Sequence, residues 1–146
     1  MPKIMSQGQR FECLKSMNEE GIIEIKKRIY DLEERTAKVG EAIIRFAGKL
    51  PVNEVTKKMI PQLVAAGTST GANYCEADDA ESPKDFRHKI GICKKEARES
   101  KHFLRMIAVA VPSLADEANV LKQEAKELNL IFNKIFIKVS KKIDGV

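Results

Sequence analysis

Nine positions between Ile22 and Leu50 recur at alternating steps of three and four: Ile22, Ile25, Ile29, Leu32, Thr36, Val39, Ile43, Phe46 and Leu50. That spacing places all nine on one face of a single long helix, and charged runs such as Lys26-Lys27-Arg28 fill the opposite face. The same alternation returns three more times. Met59, Leu63, Ala66, Thr70, Asn73 and Ala77 carry the second stripe. Phe86, Ile90, Cys93, Ala97, Ser100, Leu104 and Ile107 carry the third, and Leu114, Ala118, Leu121, Ala125, Leu128, Phe132, Ile135 and Val139 the fourth. Four amphipathic helices joined by short links, without strand alternation, predict an all-α fold: an antiparallel up-down-up-down four-helix bundle. An extended helical hairpin that dimerises is the rival arrangement.

The boundaries carry their own chemistry. A helix is expected from about residue 20 to 49, ending before Pro51. Asn53 is an N-cap candidate for the second helix, with Thr56 three residues on. Pro61 then interrupts the stripe, and a kink near 57–61 is preferred to a later start. Ser82-Pro83-Lys84-Asp85 is the sharpest start signal, combining a capping serine, proline at the first helical position and an acid three residues past the cap. Ser113 through Asp116 repeats the cap logic for the fourth helix.

At 146 residues the chain suits one domain. Residues 1–19 have no clean periodicity and read as a flexible or loosely docked N-terminal arm, with the bundle over 20–146. The opening residues are too polar for a signal peptide, and the best apolar run, Met106 to Val111, is too short to span a membrane. Cys13, Cys75 and Cys93 are odd in number and widely spaced, which points away from a disulfide framework or structural zinc and toward a reducing cytoplasm.

Within the second stripe, Asn73 is directed inward, where a buried amide must find a partner on a neighbouring helix or cost about 1 to 3 kcal/mol. Glu76 shares its face, Tyr74 flanks it, and Glu96 and Glu99 of the third helix are the nearest candidates to meet it. Asn73, Tyr74, Glu76, Glu96 and Glu99 therefore form a candidate polar core or ligand site. Carboxylates on facing helices also suggest a metal, but a di-iron bundle needs Glu-x-x-His on two helices. Glu99-x-x-His102 and its aspartate analogue Asp85-x-x-His88 share one helix, so no metal or other cofactor is expected. No base is paired with Cys75 or Cys93, and Gly67 to Ala72 fits neither a P-loop nor a dinucleotide fingerprint. No catalytic residue emerges.

Charge gives the stronger signal. The whole chain carries a formal +5. Between Pro83 and Ile107 eight basic residues face three acids, so this one helix supplies as much. Lys94, Arg98, Lys101 and Arg105 recur at helical spacing and form a candidate polyanion-binding stripe, although such a face is also what a solvated helix presents. No aromatic interleaving accompanies it, so binding to RNA or another polyanion should be weakly sequence-specific.

Gly67-Thr-Ser-Thr-Gly-Ala-Asn-Tyr-Cys-Glu76, Ser82-Pro-Lys-Asp-Phe86 and Lys95-Glu-Ala-Arg-Glu-Ser-Lys-His-Phe-Leu104 together resemble a bacterial four-helix bundle family. That family was first recognised as proteins encoded by intervening sequences in large-subunit ribosomal RNA genes. The resemblance covers residues 36–137. Asn73, Tyr74, Glu76, Phe86, Glu96, Ala97 and Glu99 match its pattern, whereas Pro61 and Phe103 depart from it. It implies an antiparallel bundle without established molecular function, a homo-oligomer that is a pentamer in some members, and basic surfaces suited to nucleic acid. The reading is a non-enzymatic, self-assembling bundle, with a small-ligand-binding or regulatory bundle around Asn73 as the alternative.

Overall fold

A computed structural model describes residues 19–145, and side chains over residues 32–145. The expected N-terminal arm lies almost wholly outside the described residues. Helix α1 spans Glu19–Lys49, α2 Met59–Asp78, α3 Pro83–Ala110 and α4 Ala115–Asp144, with one 3-10 turn at Pro112–Leu114. They form the antiparallel four-helix bundle. Successive helices pack on one another, most extensively α3 on α4, while α1 and α4 touch sparingly. Across that open side Arg35 holds Glu124 at 2.6 Å and Lys49 holds Glu117 at 2.8 Å.

The core is the set of stripes read from the sequence. Ile43 and Phe46 of α1, Leu63 of α2, Ile90 and Leu104 of α3, and Leu128 and Phe132 of α4 are fully or almost fully buried. Such side chains contribute about 1.5–3 kcal/mol each relative to exposure, which outweighs the weak propensity of the glycines between them. Two of those glycines decide how close α1 and α2 come. A Cβ on Gly67 would fall 2.6 Å from Ile43 Cδ1, and one on Gly71 would fall 3.3 Å from Thr36 Oγ1. Residues this small are what let the two helices approach.

Three local expectations are corrected. Helix α2 does not kink at Pro61, because it begins at Met59 and the proline sits in the first turn, where its missing N–H removes no internal hydrogen bond. Asn53 caps the turn before the helix instead: its Oδ1 accepts from the backbone N–H groups of Val55 and Thr56 at 2.9 and 3.0 Å. Thr56, fully buried, accepts from Asn53 N–H at 3.0 Å and donates to the Pro51 carbonyl. At α4 the N-cap is Leu114 rather than Ser113, since Pro112 starts a 3-10 turn closed by Leu114 N–H to Val111 O at 3.0 Å. Asp116 and Glu117 in the first turn of α4 still complement the positive end of the helix dipole. Ser82 does cap α3, accepting from Asp85 N–H at 3.1 Å.

A fourth correction is to the phase of α2. Tyr74, not Asn73, enters the core at 8% exposure, and its ring lies 6.0 Å from that of Phe132 on α4. Steps of three and four are both helical, and the ring buries more apolar area than an amide while leaving no short polar group to satisfy.

Candidate nucleic-acid interface

Helix α3 has two flanks of different character. On the flank toward α2, charges are matched: Lys89 Nζ meets Glu76 Oε2 at 2.8 Å. Glu96, seven residues from Lys89 and hence on the same side, is half-buried. Its carboxyl is held above the usual range, chiefly by burial and then by the neighbouring Glu99. Asn73 is half-buried and donates from Nδ2 to the Ser69 carbonyl of its own helix at 2.9 Å, so the expected bond to a neighbouring helix does not form. A helical amide has a backbone carbonyl four residues back within reach, and this one uses it.

The five residues grouped from sequence therefore serve different ends. Tyr74 is core, Glu76 is an exposed ion-pair partner, Asn73 is bonded within α2, and Glu96 and Glu99 stand half-buried on α3. Cavities of about 720, 390 and 340 Å3 are lined by other residues than Asn73. Among the described residues no group of three or more His, Cys, Asp or Glu could hold a metal ion. Cys93 is buried with its thiol pushed up to about 12 by desolvation, and its Sγ donates to the Thr70 carbonyl at 3.6 Å. Cys75 is exposed, and burial first, then Glu33, Asp78 and Asp79, hold its thiol above the ordinary value. Neither thiol is activated as a nucleophile.

The flank toward α4 is different. Asn129 of α4 donates from Nδ2 to the Lys94 carbonyl at 2.7 Å, fixing the register of the two helices. Lys94 lays its Nζ 4.6 Å from the centroid of the Phe136 ring, beside Gly91, where a Cβ would come within 3.2 Å of that ring. From this anchor Lys94, Arg98, Lys101 and Arg105 follow at steps of four, three and four. Arg98 and Arg105 are exposed, Lys94 and Lys101 half-buried. Among the described residues none of the four pairs with a carboxylate, whereas Arg35, Lys49, Arg87 and Lys89 all do. The sequence placed the four cations on one stripe. It missed Asn129, whose only signal is an amide at helical spacing on the facing stripe.

The described residues make an antiparallel helical bundle with a basic run on the α4-side flank of α3. The chain belongs to the family described as 23S rRNA-intervening sequence protein, whose profile matches residues 30–134. It is similar to a protein of unknown function from the S23 ribosomal protein family of Bacteroides thetaiotaomicron VPI-5482, known from a crystal structure at 1.70 Å resolution. The two share 28% identity with a TM-score of 0.64 over 72% of this chain and 97% of that one. No curated protein matches the sequence. Among the described residues no helix is long and apolar enough to cross a membrane.

Proposed function

We propose that this chain is a non-enzymatic, cytoplasmic interaction protein that binds RNA or another polyanion through the α4-side flank of α3. The supporting observation is the run Lys94, Arg98, Lys101, Arg105 on one helix face, without a carboxylate partner among the described residues, while Arg35, Lys49, Arg87 and Lys89 are each paired. Unpaired cations keep their full field for a ligand, and phosphates displacing their counterions give affinity that falls steeply with salt. The family description, which names an intervening sequence of 23S rRNA, makes RNA the first polyanion to test.

Self-association is the second part of the reading. Leu130 and Ile137, seven residues apart on α4, are 51% and 45% exposed, a pairing that favours contact with another copy. Sedimentation across a wide concentration range tests it, and a mass that stays at the 16.4 kDa of one chain defeats it.

For binding, the decisive comparison is between the wild-type chain and a variant with Lys94, Arg98, Lys101 and Arg105 all changed to Gln. Affinity for mixed RNA is expected to drop by an order of magnitude or more at low salt, with a shallower salt dependence. Equal affinity of the two proteins removes the proposed role of this flank.

A further inference from the structure

The basic flank is wider than α3. Asn129 on α4 stands opposite Lys94, and the helices run antiparallel, so each step forward on α3 is a step back on α4. Lys122 and Lys126 lie seven and three residues before Asn129 and share its helix face. Lys122 stands level with Lys101, and Lys126 level with residue 97, beside Arg98. Lys126 is exposed, Lys122 half-buried, and neither pairs with a carboxylate among the described residues. Three acids of the two helices turn away from the seam. Glu124 and Glu127 turn to Arg35 of α1, and Glu96 lies on the α2 side of α3 with Lys89. Charge is thus largely segregated across the pair: these anions stand toward α1 and α2 and cations follow the α3–α4 seam, where Asp144 of α4 meets Arg87 at 3.4 Å beyond the Lys94 end.

We propose that the polyanion this seam fits is a double-stranded nucleic acid, with Lys122 and Lys126 contacting one strand's phosphates and the α3 cations the other's. The inference rests on the polyanion-binding reading above and names its partner class. Two observations carry it. The first is shape: the α3 row is about 16 Å long and the α4 pair about 6 Å, on helices about 8–10 Å apart, a shallow two-rail surface and not a channel that follows one strand. A wide, shallow minor groove flanked by phosphates, as in A-form RNA, presents the complementary pattern.

The second is the missing stacking surface. Proteins that hold unpaired strands gain about 1–3 kcal/mol per base from exposed aromatic rings. Among the described residues no phenylalanine or tyrosine is exposed. Phe136, the ring nearest the seam, is covered by Lys94, and the imidazole of His102 stands against Phe103 with centroids 5.5 Å apart. Charge is what remains, and a duplex presents about one negative charge per 1.7 Å of axis, more than a single strand offers.

The test is fluorescence anisotropy of the full chain with short duplex RNA, short duplex DNA and their separated strands, from about 50 to about 200 mM salt. At least one duplex is expected to bind ten-fold or more tightly than its own strands. Lys122→Gln with Lys126→Gln should reduce the salt slope for that duplex by about 1 per lysine, and the double Arg replacement at the same positions should restore it. Single strands binding as well as duplexes would overturn this inference and leave the polyanion reading standing. A slope unchanged by the two Gln substitutions overturns the role of α4. Absence of salt-dependent binding to every probe overturns the parent reading as well.

Discussion

The two sequential helix pairs at either end of the chain are held by opposite means. Between α1 and α2 the contact depends on what is missing: Gly67 and Gly71 leave room for Ile43 and Thr36, and the backbones close in. Between α3 and α4 it depends on reach, with Asn129 bridging to the Lys94 carbonyl and Phe136 lying under the lysine's ammonium. A seam of small residues has no side chains long enough to present charge beside it. A seam of long ones carries its cations outward, and Lys94, Arg98, Lys101 and Arg105 stand there without a carboxylate partner among the described residues.

The largest expected effect breaks the first seam. Gly67→Val inserts three carbons against Ile43 and should destabilise the fold by about 3 kcal/mol in urea titration. Gly48→Val, where nothing lies within 4 Å of the added Cβ, should change stability by less than about 0.5 kcal/mol. Equal losses at the two sites would erase the distinction between a close-packed seam and an ordinary helix face. The second seam should respond less. Asn129→Ala removes one hydrogen bond and is expected to cost about 1 kcal/mol, read from the same titration, and a cost as large as that of Gly67→Val would make reach as critical as closeness.

The smallest effects are electrostatic and differ in sign. Arg35 hydrogen-bonds Glu124 and holds its carboxyl below the ordinary value. Its contribution is therefore present at neutral pH and lost as pH falls from that ordinary value through the depressed one. Glu124→Gln should flatten the acid limb of a melting curve series and cost less than about 1 kcal/mol at neutral pH. Glu96 is shifted upward by burial and Glu99, so the folded state holds its proton more tightly than the unfolded one. Stability from this group falls as pH rises from the ordinary carboxyl value to the raised one, and Glu96→Gln should remove that decline. Parallel pH profiles for the two variants would contradict the opposite environments of the two carboxylates.

Most of the architecture was legible because helical periodicity is a one-dimensional record of burial: of the positions assigned to the stripes of α1 and α3 whose side chains are described, only Phe86 is not buried. What was less legible lay where two spacings satisfy the same rule. Thr70 is followed on its face by either Asn73 or Tyr74, and the choice is made by Phe132, more than fifty residues away on α4. Pro61 posed a similar ambiguity, since a proline within a stripe signals a break or a first turn with equal force until the Asn53–Thr56 cap is seen to come before it. The basic stripe was visible as spacing, but its lack of carboxylate partners depended on where Glu96, Glu124 and Glu127 turned, which is tertiary information. The partner of Asn73 was illegible for a different reason: an amide can bond within its own helix, here to the Ser69 carbonyl.

The sulfur of Cys93 gives the bundle a built-in clock. With its thiol at about 12 and no exposure, almost none of it is thiolate near neutral pH, while Cys75 stands open on the surface of α2. An alkylating reagent that has finished with Cys75 must then wait for α2 and α3 to part before it meets Cys93. The lag between the two modifications times the breathing of that seam, without any engineered probe.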